Sequence, residues 1–399
     1  MLTEPIILPA ERPDAFHPPP AYASLDPIVR ARTAEGMPAW LVTDRELVLA
    51  ILADQRFGIA PPGTAGIGSL FTDGESHTRL RRLLARTFTA RAISALRPRI
   101  AKLAEGLVAD LVAAGPGADV LAVLARPMSL AVIGDLLGIA DADRQRFRTW
   151  ADASLGVVTP DLLHPGEPVP GAQEAWGELA AFVGELIAAK RAREGEDLLS
   201  ALIAVRDADD GRLGDEELLT TTIALLSAGY LTVANALTIG LVHLLPTGLL
   251  PTLTDESAAA RAVEEVLRLQ TGRSGEAMPR WAHADVDLAG QRITVGELVL
   301  VRLEAVNHDP AEFPDPERFG PERFDPAREP NRPNRIGHCS FGHGVHHCLG
   351  APLARIELAE ALRALAEQLP GLRLGCAPEE IVWAGNPLDD GPLAVPVTW

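Results

Sequence analysis

One cysteine in this chain has neighbours that could turn it into a metal-binding thiolate. The stretch Ser340-Phe-Gly-His-Gly-Val-His-His-Cys-Leu-Gly-Ala-Pro352 places Cys348 between a glycine-rich loop (Gly342, Gly344) and a helix. Pro352 suits a first helical turn, Leu358, Leu362, Leu365 and Leu369 share one face, and Pro370-Gly371 ends the run. A cysteine at a helix N-terminus feels the positive end of the dipole, which favours thiolate over thiol. The glycines let backbone N–H groups approach the sulfur. Three chemistries fit. Cys348 could be a small buried hydrophobe. It could join His338, Cys339, His343, His346 and His347 around zinc, although a Cys–Cys gap of nine departs from the short spacing of structural zinc sites. Or it could be the single axial thiolate of a haem.

Two charged pairs and one threonine could serve such a site. His77 and Arg81 are four apart, so both share a helix face and can reach one anion. Glu265 and Arg268 are three apart and can pair on a helix, as surface couples often do. Thr232 lies in a long apolar run, where a hydroxyl usually bonds its own backbone.

Phe341 to Gly350, Phe-Gly-x-Gly-x-His-x-Cys-Leu-Gly, resembles the haem-binding signature of the cytochrome P450 family in its bacterial form. The resemblance runs from about Phe71 to the C-terminus. It implies heme b with Cys348 as iron ligand and Phe341, Gly342 and Gly350 shaping the loop. It further implies that His77, Arg81, Arg280 and His346 meet the propionates. Glu265 and Arg268 match the family's Glu-x-x-Arg, a structural charge network completed by Arg318 or Arg323, with Arg323 favoured because it lies nearer the cysteine loop. Ala228, Gly229 and Thr232 match the oxygen-side helix, with Gly229 expected to leave room for dioxygen. Leu231 stands where the family carries an acid. Substrate contacts would fall near 59–70, 157–171, 228–233, 274–278 and 386–393.

The elements that must position these residues are mostly helical. Helical patterns cover 78–114, 119–136, 141–156, 172–192, 197–207, 215–245, 257–270 and 350–369. Short strands are expected at Trp40–Val42, Val286–Leu288, Arg292–Val295 and Leu298–Arg302, with a Gly-Gln hairpin turn after Leu288. Residues 1–25 read as an irregular, Pro-rich segment, and 309–345 as a long irregular stretch of the functional kind. The expected fold is mainly α: one domain over 1–399, the cytochrome P450 fold with small peripheral sheets.

Composition narrows the setting. The chain has 399 residues and a formal charge of −18, which disfavours nucleic acid as a partner. Three cysteines are too few for a disulfide framework, and the N-terminus has no basic region or long apolar run, so a cytoplasmic protein is expected. From Leu218 to Thr254 no charged residue occurs, long enough to span a bilayer. Its hydroxyl residues, Pro246 and acidic flanks point instead to a buried core helix. The resemblance implies a monomeric oxidoreductase acting on a small organic molecule in bacterial specialised metabolism. It would use O₂ and electrons from NAD(P)H through a ferredoxin reductase and a ferredoxin. The rival reading is a haem-thiolate binder without catalysis. Eight basic and no acidic residues between Ser76 and Ala104 would form the ferredoxin-docking patch.

Overall fold

The computed structural model describes residues 5–14, 16–33, 36–63, 70–85, 88–140, 143–148, 172–193, 195–208, 213–270, 279–327, 337–384 and 391–399. Among the described residues its α-helices include α1 (Arg45–Ala53), α2 (Gly74–Ala85), α3 (Ala90–Ala114), α4 (Arg126–Leu137), α5 (Ala172–Ala192), α6 (Leu198–Asp207), α7 (Asp215–Leu244), α8 (Glu256–Gln270), α9 (Leu303–Asn307) and α10 (Ala351–Gln368). A short π-helical turn, Leu121–Ala125, leads into α4.

The run expected over 78–114 is two helices. Thr89 takes an extended backbone and its hydroxyl accepts from Ala92 N–H, which starts α3 afresh. Helix α1 was not expected, although its start is written plainly. Asp44 caps it by accepting from Leu47 N–H at 2.9 Å, and Val48, Ile51 and Leu52 are buried.

The apolar run is α7, the central helix. Three acidic residues occupy its first turn, where the dipole favours them, and Glu217 accepts from Gly214 N–H. Its hydroxyls are hidden by donation to carbonyls one turn back: Thr222 to Leu218 O, Thr238 to Ala234 O. That pattern lets polar residues lie in a core helix without loss of hydrogen bonding. Its apolar side chains join one cluster with those of α3, α4, α8 and α10.

The main sheet has the order β1-β2-β3-β8-β5-β4, from Ile6–Ile7, Ile28–Arg32, Pro38–Val42, Leu298–Val301, Pro279–Ala282 and Phe57–Gly58. Strand β3 runs parallel to β8, while β5 is antiparallel to β8 with Arg280 opposite Val299. A hairpin joins β6 (Val286–Leu288) to β7 (Gln291–Ile293), and β9 (Arg373–Leu374) pairs with β10 (Val397–Thr398). The hairpin turn is Ala289-Gly290 rather than Gly-Gln, because both have positive φ, 49° and 76°, as a type I′ turn requires.

The N-terminal segment is more ordered than its prolines suggested. Ile6–Ile7 forms an edge strand parallel to β2, Leu8 is fully buried, and Arg12 pairs with the buried carboxylate of Glu304. Burial of Leu8 and the strand pairing dock the segment, while Ile7 stays exposed.

Candidate functional site

The cysteine loop is fixed by backbone hydrogen bonds and two left-handed glycines. Cys348 N–H donates to Phe341 O at 2.9 Å, and Gly342 N–H to Cys339 O at 2.8 Å. Gly342 and Gly344 have φ of 69° and 73°. At Gly344 a Cβ would lie 2.2 Å from Leu52 O, so the loop presses on the end of α1 and only glycine fits.

Cys348 is exposed, and the N–H groups of Gly350 and Ala351 favour its thiolate, as do Arg81 and Arg355. Desolvation outweighs them and pushes the thiol pKa up, so the expected thiolate preference does not arise from the protein alone. A bound cation is what deprotonates such a sulfur. Cys339 is buried beneath the main sheet, and burial raises its thiol too.

Beside the loop stands a cationic set. His77 is buried, its ring centroid 4.1 Å from that of His346, and desolvation with the charges of His346 and Arg81 lowers it to about 4. Arg81 donates to His347 O. Arg280 is 2% exposed; its Nη1 donates to Pro279 O, but Nη2 has no hydrogen-bond partner among the described residues. Burial lowers Arg280 to about 10. A buried guanidinium left unpaired is costly, so this site suits an anion such as a haem propionate. His346 Nε2 lies 2.9 Å from Asp73 Oδ1. Asp73 Oδ2 also accepts from Ile59 N–H, so this unsuspected carboxylate ties the loop to the chain after β4.

Below the loop lies a buried charge network. Glu265 and Arg268 pair at 2.8 Å with neither side chain exposed. Arg268 donates to Asn307 O and Pro316 O, and Glu265 accepts from Gly320 N–H. The arginine that reaches Glu265 is Arg323, at 3.1 Å; Arg318 pairs with Glu322 at the surface. Asn307 extends the network upward by donating to Ser340 Oγ and accepting from Cys339 N–H. Asn307, at the end of α9 just before the irregular stretch, belongs to no motif that would have marked it.

On α7, Ser227, Ala228 and Thr232 are exposed in the middle of a buried helix. Thr232 Oγ1 donates to Ala228 O at 2.6 Å, leaving its lone pairs free to accept. Leu231 is half-buried against the core. At Gly229 a Cβ would lie 2.8 Å from Ile133 Cδ1, so the missing side chain lets α7 approach α4. Of the expected substrate segments, 64–69, 157–171, 274–278 and 386–390 lie outside the described residues.

The architecture and this site define a haem-thiolate oxidoreductase, and comparison with known proteins agrees. The cytochrome P450 family model matches residues 27–247 and 259–367, and the chain belongs to that family. It is 40% identical to the cytochrome P450 monooxygenase PikC of Streptomyces venezuelae, covering 96% of this chain and 92% of that one. It is 41% identical to mycinamicin IV hydroxylase/epoxidase of Micromonospora griseorubida, over 94% of this chain and 93% of that one. Among solved structures, the putative thioether synthase SgvP, involved in the tailoring step of griseoviridin, superposes with a TM-score of 0.87. It is 35% identical, covering 99% of this chain and all of that one. The protein is a haem-dependent, monooxygenase-type enzyme.

Proposed function

We propose that Cys348 is the axial ligand of heme b, with the propionates met by His77, Arg81 and Arg280, in a monomeric cytoplasmic enzyme. The observation that carries this is Arg280, a buried guanidinium near Asp73 and the cysteine loop whose Nη2 lacks a partner among the described residues. When bound, the haem supplies activation of O₂, which the thiolate promotes by favouring O–O cleavage. The chain's own residues hold and orient. His346, beside His77 and engaged with Asp73 through Nε2, braces the loop on the propionate side. Glu265, Arg268 and Arg323 hold the platform beneath the loop. Thr232 offers lone pairs to a water or substrate hydroxyl on the oxygen side.

The substrate class is a small organic molecule tailored in bacterial specialised metabolism, by hydroxylation, epoxidation or oxidative ring closure. The named relatives, a hydroxylase/epoxidase and a putative thioether synthase, support that range. Incubation of haem-loaded protein with a macrolide panel, a surrogate ferredoxin, its reductase and NADPH tests it by mass shift. Products at +16, from hydroxylation or epoxidation, or at −2, from oxidative ring closure, support the reading; no product and no substrate-induced spectral change across the panel counts against it.

Electrons come from an acidic ferredoxin docked on the basic stretch. Within that stretch Arg79 is paired with Glu217, Arg97 with Glu360 and Glu256, and Arg99 with Asp135. Exposed Arg82, Arg91 and Lys102 make no ion pair among the described residues, so they carry the docking charge. Arg86 lies outside those residues. Reduction by ferredoxin should slow as salt rises, and slow further in Arg82→Ala with Arg91→Ala. Salt-independent reduction would exclude this surface.

A further inference from the structure

Glu264 neighbours Glu265 on α8 but belongs to none of the motifs above. Its Oε1 accepts from Arg355 Nε at 2.6 Å, and its Oε2 from Arg355 Nη2 at 2.9 Å. The same Oε2 lies 3.0 Å from His338 Nε2. Because Ser340 N–H donates to His338 Nδ1, the His338 proton resides on Nε2 and is given to Glu264. Desolvation raises the Glu264 pKa, but the hydrogen bonds from His338 and Arg355 overcome it and hold the carboxyl at about 2. It is therefore charged under all working conditions.

The two groups that Glu264 holds come from opposite flanks of Cys348: His338 precedes it in the chain and Arg355 follows it on α10. They meet again at Phe341. The guanidinium carbon of Arg355 is 4.6 Å from the Phe341 ring centroid, and the His338 ring is 6.0 Å from it. Phe341 in turn accepts the Cys348 backbone hydrogen bond through its carbonyl, and the Arg355 charge acts directly on the sulfur. One carboxylate thus governs a ring, a cation and the loop that presents the ligand.

We propose that Glu264 is a positioning residue that sets the reduction potential of the Cys348-ligated haem, by fixing Arg355 over Phe341 and cancelling part of its charge. This rests on Cys348 as the ligand. A cation near the sulfur favours the reduced, more negative centre, so Arg355 raises the potential and Glu264 restrains it. A bidentate Arg–carboxylate pair has the fixed geometry such tuning needs. A merely structural clamp has no such sign.

The test is the midpoint potential of haem-loaded protein, measured by spectroelectrochemistry, with a reduced-CO spectrum of each preparation. Glu264→Gln should raise the potential and Arg355→Gln should lower it. Each shift should correspond to roughly a three- to tenfold change in the reduction equilibrium, the scale of one charge several ångströms away in a partly solvated site. The double variant should return towards wild type, and Glu264→Asp should stay near it. Shifts in the same direction, or no shift with the thiolate band intact, would overturn the proposal. Should Glu264→Gln fail to hold haem, Arg355→Gln decides alone: a fall supports the proposal, and a rise or no change overturns it. If wild type lacked the thiolate band, the ligand assignment itself would fall, and the proposal with it.

Discussion

The cysteine loop and the middle of α7 are stabilised in opposite ways. Around the loop, hydrogen bonds cross between distant segments: Asn307 to Ser340, Glu264 to His338 and Arg355, Asp73 to His346. Along α7, the hydroxyls of Thr222, Thr232 and Thr238 donate back to the helix's own carbonyls. Cross-linked polar networks fix one geometry, and removal of a member leaves a buried group unpaired. A helix that satisfies itself leaves its exposed face, Ser227, Ala228 and Thr232, free to vary. Ligand geometry is thereby separated from substrate and proton handling.

If this contrast holds, the largest effects lie at the loop. Cys348→Ala should abolish the red-shifted reduced-CO band of thiolate-ligated haem, while Cys339→Ala should keep it. Loss of the band in the Cys339 variant alone would reverse the ligand assignment. Next comes the platform. Glu265→Ala strands the buried guanidinium of Arg268, so stability should fall by about 3–5 kcal/mol in urea unfolding, the cost of breaking a buried pair. A loss below about 1 kcal/mol, the value of a surface pair, would show that the network is not buried in solution.

Glu357 sharpens the contrast from the other side, as a buried acid on α10 outside the network. Its Oε2 has no hydrogen-bond partner among the described residues, and complete burial raises its pKa well above the ordinary 4.5. The unfolded chain releases this proton near 4.5 and the folded protein only at much higher pH. Over that window the unfolded state binds fewer protons, so stability falls as pH rises from about 4.5. Glu357→Met should remove that slope and stabilise by about 1–3 kcal/mol at neutral pH. Parallel pH–stability curves for the two proteins would show that Glu357 ionises normally.

What the sequence revealed follows the same division. Cys348, Arg268 and Glu265 were legible because their roles need fixed residue types at fixed spacings. Asp73, Asn307 and Glu264 were not, since each acts through partners far along the chain and belongs to no motif of fixed spacing. The packing of Gly229 against Ile133 was not legible, because a motif records that a side chain is absent, not which neighbour lies beside the gap. Helix α1 was missed because its nine residues offer only a short amphipathic face, although Asp44 marked its start. The edge strand Ile6–Ile7 was missed because two residues are too few to show alternation.

The smallest expected effect lies on the permissive side, at Leu231. The family's acid at this position is replaced by a side chain with neither donor nor acceptor. Leu231 packs against the core, and the Thr232 proton is committed to Ala228 O, so neither residue delivers a proton as it stands. Delivery then falls to water held by the Thr232 lone pairs or to polar groups of the native substrate. A positioned acid contributes roughly 10²–10⁴-fold when it acts, so a non-native substrate lacking such groups should expose the gap. With it, much of the NAD(P)H consumed should end as hydrogen peroxide. Leu231→Asp or Leu231→Glu should raise the product formed per NAD(P)H there by a few-fold, and change little with the native substrate. Tight coupling of wild type on unrelated substrates, unaltered by either substitution, would mean that α7 needs no acid. The division between a fixed loop and a permissive helix would then have to be redrawn.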